Sequence, residues 1–408
     1  MNQWISGEAH FLTLQLFLPA FLTHNAMMSR DRMNLSKSSL SIPDRTWVEI
    51  DHAALRHNLK AVQKLAGDAD IMAVVKANGY GHGLNEVART FSAGVEVFAV
   101  ASLGEALQLR NTEKKKPILL LSAALPSEYQ QIGLHEFIPT ISSLHEARLF
   151  SKSAPKGSLI HFKVDSGMGR LGCRPEEAVA ILAQLRRLPI TLHSISTHLP
   201  SADSDRAFTV KQLKQFERLA ASLRKTAPGI PIHVLNSAAT MLFPGSAQDL
   251  VRVGLALYGI SPLPRFQKHL RPALSWKAAV TFIHKIPKGQ GISYGGTYKA
   301  PRNLRVAVLP VGYADGYPRQ LSGKGATVLI RGKKCPLLGR VTMDQIMVDV
   351  SAVKGIKVGD EAVLVGKQGQ KGKGKAEITA TEVATKADTI PWHLFCGITA
   401  RVAYQYKG

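Results

Sequence analysis

Cysteine is scarce in this 408-residue chain: Cys173, Cys335 and Cys396 are all there is. An odd number at wide spacing builds neither a disulfide framework nor a zinc site, so the default is a reducing, cytoplasmic setting. Acid is scarce too. Asp and Glu number 29 against 52 Lys and Arg, which leaves a formal charge of +23. A basic surface attracts phosphate-bearing partners in general. The cations are spread along the chain, however, and the dense stretches Lys114–Lys116 and Gly366–Lys375 interleave no aromatics on which bases could stack. No nucleic-acid partner is expected. The apolar run Phe11–Leu22 is too short to span a bilayer, and no membrane partner is expected either. Only Glu8 is charged before that run and the first arginine is Arg30, so it lacks the basic start of a secretory signal; a signal would imply a periplasmic setting. Residues 1–40 read as an extension outside the fold or a start placed too early, with Met27, Met28 and Met33 as later starts. Metal ligands are missing as well: His52 and His57 have no ligand company. Gly369–Lys375 fits GxxxxGK, but Ala376 stands where a nucleotide loop needs Ser or Thr for magnesium.

What is present is alternation. Apolar runs at Ile71–Val75, Val97–Val100, Ile118–Leu121, Phe137–Thr140, Ser158–Val164, Ile190–Thr197, Ile232–Leu235 and Asp249–Val253 read as strands. Between them lie helical stripes such as Leu84, Val87, Ala88 and Phe91, or Leu213, Phe216, Ala220 and Leu223. This pattern predicts an α/β fold with an N-terminal (β/α)8 TIM-type barrel over residues 46–270; a doubly wound open sheet is the rival. After Pro262, Pro264 and Pro272 the texture turns to strands and glycine turns, which predicts a C-terminal, mostly-β domain over 271–408. Its expected strands are Trp276–Ile286, Leu304–Pro310, Ala326–Ile330, Gln345–Val350, Glu361–Val365 and Ile398–Tyr404, with a helix near Thr381–Ala387. The early strand Thr46–Ile50 has no obvious place in the barrel.

Polar residues follow the barrel strands, where such barrels carry their chemistry. Lys76 ends an apolar run and precedes Gly79, Gly81 and Gly83, which let backbone approach a ligand closely. It is either a strand-end lysine reaching solvent or a Schiff-base lysine whose amine is kept neutral by apolar walls. Lys163 and Asp165 end the fifth strand, with Arg170 just beyond. His198 follows the sixth and Asn236 and Ser237 the seventh, while Arg252 and Gly254 close the eighth. Arg252 suits a structural ion pair or a cofactor ring nitrogen. His198 suits a core histidine or a site residue. Ser237 and the amides around Gly254 and Leu255 suit a phosphate.

At AVVKANGYGHG the sequence resembles the pyridoxal-phosphate signature of alanine racemases. The resemblance runs on through TWVEIDHAALRHNL, KVDSGMGRLG, LNSAAT, VRVGLALYG, GISYGGTY, LPVGYADGY and GRVTMDQIMVDV. It implies pyridoxal 5'-phosphate as cofactor, a head-to-tail homodimer, and interconversion of L- and D-alanine by two bases, supplying D-alanine for peptidoglycan. It also implies that Thr46–Ile50 joins the β domain. By resemblance, Lys76 carries the cofactor and serves as one base, and Tyr294 serves as the other across the dimer interface. Tyr80, Ser237, Gly254 and Leu255 look like phosphate-site residues, with Asn236 among the cofactor contacts. Arg252 looks like the partner of the pyridine nitrogen, supported by His198. Arg170 and the Met343 amide look like carboxylate contacts, Tyr313 like an entrance residue, and Lys163 matches a position often carbamylated.

The sequence departs from the family pattern twice: Thr342 stands where many members carry Cys. Ala400 stands where many carry a tyrosine that reaches the phosphate, so room for substrates larger than alanine is expected. A broad-spectrum racemase on the same scaffold is the nearest alternative. A decarboxylase would need a Cys/Asp-bearing motif that is absent, and a non-catalytic cofactor carrier would lack the β domain.

Overall fold

In the computed structural model, which describes residues 44–369 and 376–408, the alternating runs close into a parallel barrel. Its strands are β2 (Asp70–Val74), β3 (Val97–Val100), β4 (Ile118–Leu120), β5 (Ile138–Ile141), β6 (Leu159–Lys163), β7 (Thr191–Ser196), β8 (Ile232–His233) and β9 (Leu250–Val253), after β1 (Thr46–Asp51). Closure is explicit, since β9 pairs with β2 from Asp70↔Leu250 to Ala73↔Val253. The open-sheet rival is thereby excluded. The expected extension 1–40 and most of the Gly/Lys stretch lie outside the described residues. Among the described residues, no helix is long and apolar enough to cross a membrane.

The helical stripes bury against the barrel as their spacing requires. In Leu84–Phe91, the side chains of Leu84, Val87, Ala88 and Phe91 are all inaccessible. Each large apolar side chain so buried contributes about 1.5–3 kcal/mol. His52–Ala66 starts where Asp51 accepts the Ala54 amide at 2.9 Å and puts Leu55, Leu59 and Val62 in the core.

β1 belongs to a second sheet. Its spatial order runs Phe282–Ile286, Leu304–Leu309, Ile346–Asp349, Lys333–Leu338, Thr327–Ile330, Glu361–Gln368, Leu274–Ala279, β1 and Ala403–Lys407, with Ala376–Ile378 paired to Glu361–Gln368. β1 is antiparallel to Leu274–Ala279 and parallel to Ala403–Lys407. Asp44–Gly408 is one compact unit, with the barrel and this sheet packed together.

Three expectations for this half need correction. Trp276–Ile286 is two strands, not one: Leu274–Ala279 pairs with β1, whereas Phe282–Ile286 pairs with Leu304–Leu309. The break is at Val280 and Thr281, whose amides donate to Asp360 and Val308 respectively. Ile398–Tyr404 is a turn up to Val402, because the Thr399 amide and hydroxyl are taken by the Asp315 and Ala314 carbonyls; the strand starts at Ala403. Lys333–Leu338, which contains Pro336, is a strand that the sequence pattern did not include. The proline pairs with Thr327 on one side, and the next strand over pairs only from Leu337, so its missing N–H falls at an unpaired position. A short helix, Pro391–Cys396, also escaped the sequence pattern.

Candidate functional site

The barrel opens at its carboxyl end into a cavity of about 710 Å³. Lys76, Tyr80, Lys163, Arg170, His198, Asn236, Ser237, Arg252, Gly254 and Leu255 all line it. Residues far apart in sequence converge because each follows a different strand of one closed barrel.

Directly after β2 the backbone turns left-handed. Ala77, Asn78, Gly79 and Tyr80 have φ of 53°, 53°, 61° and 52°. Non-glycine residues in this region each cost about 1–2 kcal/mol, so surrounding structure must hold the turn. The Ala77 amide donates to Glu105 Oε1 at 2.6 Å, and Asn78 Oδ1 accepts the Leu84 amide at 3.0 Å. From the sheet side, the Tyr404 hydroxyl donates to the Gly81 carbonyl at 3.1 Å. The Phe395 carbonyl lies so near that a Cβ on Gly81 would sit 2.2 Å from it. His82, fully buried, packs on Tyr258 at 4.7 Å and edge-on to Phe395 at 5.4 Å.

The cavity gathers positive charge with little to balance it. Burial, and after it Arg170, pushes the Lys76 amine below its ordinary pKa. Lys163 is pushed well below by burial and then by Arg252 and Arg170. Asp165 is nearby, but it is occupied by the amides of Gly167, Met168 and Arg170 at 2.9, 2.7 and 3.0 Å. These donors outweigh its burial and hold its carboxyl below the usual range.

Arg252 is buried, and among the described residues it has no carboxylate partner. It donates to His233 Nδ1 at 2.8 Å, His198 Nδ1 at 2.8 Å and the Thr197 carbonyl at 3.1 Å, all neutral acceptors. Burial lowers it to about 10, still charged at neutral pH. Burial and then Arg252 push His198 down to about 2. The imidazole is therefore neutral, with Nδ1 accepting and the proton on Nε2.

A polar pocket forms at the other end of the cavity. Ser237 Oγ accepts the amides of Gly254 and Ala256 at 3.2 and 3.4 Å, leaving its own proton free. A Cβ on Gly254 would lie 2.8 Å from the Tyr80 hydroxyl, so glycine keeps that space open. Burial lifts Tyr80 to about 12, which keeps it a donor. Asn236 lines the cavity, but its amide is committed: Oδ1 caps the helix Ser237–Leu242 at Ala239 and Nδ2 donates to Leu199.

Family descriptions match nearly all of this. The alanine racemase N-terminal domain matches residues 50–262 and the alanine racemase C-terminal domain matches 273–406. The chain belongs to the alanine racemase family. An alanine racemase from Halothermothrix orenii is 42% identical over 372 residues, covering 89% of this chain and 97% of that protein. One from Methylacidiphilum infernorum is 41% identical, covering 89% and 93%. Among solved structures, the Clostridium difficile alanine racemase superposes with TM-score 0.83 at 35% identity, over 90% of this chain and 96% of that one. The Bacillus anthracis alanine racemase with bound L-Ala-P gives 0.81 at 34%, over the same shares.

Three expected site residues are not brought to the cavity. Tyr294, Met343 and Tyr313 lie on the sheet half, 70%, 52% and 41% exposed. Tyr313 and Met343 adjoin, since the Tyr313 amide donates to the Thr342 carbonyl and the Ala314 amide to the Met343 carbonyl. Arg401 braces the same loop by pairing with Asp344 at 2.8 Å and Asp315 at 3.3 Å. Ala400 is exposed and does not line the cavity, and the Tyr404 hydroxyl is committed to Gly81. Sequence reasoning missed Trp392 and Cys396, which line the cavity from the helix Pro391–Cys396 that precedes the last strand, and His161 within the barrel. Cys396 had been read only as one of three stray thiols. A lone histidine inside the run LIHFK was the only signal for His161.

Proposed function

We propose that the protein interconverts L- and D-alanine, holding pyridoxal 5'-phosphate in the barrel cavity with Lys76 as anchor. The observation that carries this is a strand-end lysine of depressed pKa in one cavity with a buried arginine whose acceptors, among the described residues, are all neutral. A cavity with Lys76, Lys163, Arg170 and Arg252 on its walls suits a ligand bearing a phosphate and a carboxylate. The donor set fits the group. Ser237, Tyr80 and the backbone at Gly254 and Leu255 would hold the phosphate, and Arg252 would donate to the ring nitrogen.

When bound, pyridoxal phosphate supplies an aldehyde that condenses with amines and a ring that acidifies the Cα proton of the amino acid it carries. The chain supplies the rest. Racemisation needs a proton removed on one face of Cα and delivered on the other. Lys76, its pKa lowered by burial, takes or gives it on its face. Tyr294 of the partner subunit does so on the opposite face, with the partner subunit's Met343 amide and Arg170 holding the carboxylate. The homodimer is inferred because the exposed Tyr294, Met343 and Tyr313 have no cavity of their own in one chain. Arg252 stays charged and donates, rather than transfers, its proton. That keeps the ring a moderate electron sink and disfavours transamination. His198 and His233 fix the guanidinium in place. The product would serve peptidoglycan synthesis in the cytoplasm.

The test is a racemisation assay on L- and D-alanine, serine and lysine with and without added pyridoxal phosphate. Borohydride reduction and peptide mapping go with it. Alanine racemisation with the label on Lys76 is expected. A label on another lysine would remove the anchor assignment, and turnover of lysine or serine at rates equal to alanine would make the enzyme broad-spectrum.

A further inference from the structure

The helix Arg206–Thr226 buries Thr209, Gln212, Phe216, Ala220 and Leu223. Gln212 is out of place in that stripe. It is 1% exposed, and its Oε1 has no partner among the described residues. An unpaired buried amide oxygen costs free energy, and a leucine would pack the same face without that cost. What the glutamine adds is a pair of donors. Nε2 donates to the His198 carbonyl at 2.9 Å and to Ser166 Oγ at 3.0 Å. A carbonyl only accepts, so the first contact fixes which end of the amide is nitrogen.

The two acceptors lie on different segments of the cavity rim. Ser166 belongs to the loop after β6 that carries Arg170, and that loop is one piece. Asp165 takes the amides of Gly167, Met168 and Arg170. The base is closed where the Asp165 amide donates to the Cys173 carbonyl at 2.8 Å and the Cys173 amide to the Lys163 carbonyl at 3.1 Å. What holds Ser166 therefore holds the Arg170 backbone. His198 follows β7, and Arg252 grips that segment from the other side through the Thr197 carbonyl and His198 Nδ1. Thr197 joins the two segments a second time: its Oγ1 lies 2.6 Å from Ser166 Oγ and accepts the Ser166 amide at 3.3 Å. The loop also meets the helix at Gly167, where a Cβ would lie 3.1 Å from the Phe208 ring and 3.5 Å from Gln212 Nε2. Farther out, a Cβ on Gly169 would meet nothing within 4 Å.

We propose that Gln212 is a positioning residue: by bridging Ser166 to the His198 carbonyl, it sets the place of Arg170 relative to Arg252. This deepens the racemase reading and rests on it for what the two arginines contact. Gln212 does not line the cavity and acts only through the backbone beneath them. The carboxylate that Arg170 holds and the ring nitrogen that Arg252 meets belong to one stiff assembly of substrate and cofactor. The arginines must be spaced to match it, and a misplacement of about 1 Å can cost about 10²-fold. Because the bridge holds backbone, it serves whatever group Lys163 carries.

Two small probes divide alanine between them. Propionate has its carboxylate without the amine, and ethylamine has the amine without the carboxylate. Ser166→Ala cuts the loop end of the bridge, and Gln212→Met cuts both ends. In each holoenzyme the inhibition constant of propionate against L-alanine, and the KM for L-alanine, should rise several-fold. The affinities for ethylamine and for the cofactor, read from cofactor absorbance, should match wild type. Ser166→Ala carries the test alone if Gln212→Met fails to fold. Unchanged propionate inhibition in the folded variants overturns the proposal. So does a loss shared equally by ethylamine and cofactor, which marks a loosened barrel rather than a displaced arginine. Hydrogen exchange reads the bridge without any ligand: the amides of Gly167, Met168 and Arg170 should exchange several-fold faster in the variants, and unaltered exchange overturns the proposal. If the wild type does not racemise alanine, the function reading fails instead, and the exchange rates still report whether Gln212 fixes the loop.

Discussion

Gly81→Ala tests how the left-handed turn after Lys76 is held. Gly81 has φ +77°, and a Cβ there would lie 2.2 Å from the Phe395 carbonyl oxygen and 2.6 Å from its carbon. Two costs combine. Left-handed backbone costs a non-glycine residue about 1–2 kcal/mol. The contact is with backbone, so relief requires moving the helix Pro391–Cys396, and overpacking of this kind costs about 1–3 kcal/mol. The sum is about 2–5 kcal/mol. Gly157→Ala isolates the first cost, since its φ is +85° and a Cβ there meets nothing within 4 Å. Urea unfolding should therefore show a loss of about 1–2 kcal/mol for Gly157→Ala and a clearly larger one for Gly81→Ala. Only the second should also weaken cofactor binding, read as bound-cofactor absorbance, because the displaced helix carries the cavity-lining Trp392 and Cys396. Equal losses in the two variants, with cofactor binding intact in both, would refute the idea that the sheet half holds the anchor turn.

Tyr294→Phe should keep cofactor binding but slow Cα-proton exchange for one alanine enantiomer far more than for the other, as a general base contributes about 10²–10⁴-fold; equal mild losses would argue against opposite-face bases. Mixed Lys76→Ala and Tyr294→Phe chains should regain activity on reassembly, and failure in proven heterodimers would mean each site is built from one chain. Stability should fall with acid. Burial holds His82 down to about 4 and His198 to about 2, and pushes His161 and His233 well below 6.5. Their contribution is present above the unfolded pKa of about 6.5 and is lost as pH drops toward the folded values, at up to about 1.4 kcal/mol per unit for each histidine. A thermal midpoint flat from pH 7 to 5 would contradict this. Ala400→Tyr should tighten cofactor binding by about 1.5–3 kcal/mol if the added phenol reaches the phosphate, whereas unchanged binding would mean the exposed turn at Thr399–Val402 faces elsewhere.

Much of this was legible because local pattern and global fold agree. Leu84, Val87, Ala88 and Phe91 repeat at helical spacing and are buried accordingly. The glycines after Lys76 announced a close approach of backbone, though not its left-handed course. That course depends on Tyr404, Phe395 and Glu105, which periodicity does not connect to the turn. Trp392 and Cys396 were illegible for the same reason: a cavity wall made by a distant helix leaves no mark on the strands it covers. His161 was hidden because inward-facing polar residues on neighbouring strands are satisfied by each other, not by sequence neighbours. The β-domain errors arose where one apolar run served two strands, and where Pro336 sat at an unpaired position.

The place of β1, between Leu274–Ala279 and Ala403–Lys407, bears on how the chain is made. On one edge Asp51 bonds to Ala273, but on the other its partner is Lys407. A ribosome adding about 5–20 residues per second leaves that edge unpaired for roughly 20–70 s. Within the barrel each strand pairs with the next in sequence, and only the closing β9–β2 pair spans the barrel's full length. The same segment supplies Tyr404 to the anchor turn, so Lys76 reaches its final setting only after Tyr404 has been made. A nascent chain halted before Ala403 would carry a nearly complete barrel with an open sheet edge and an unbraced lysine.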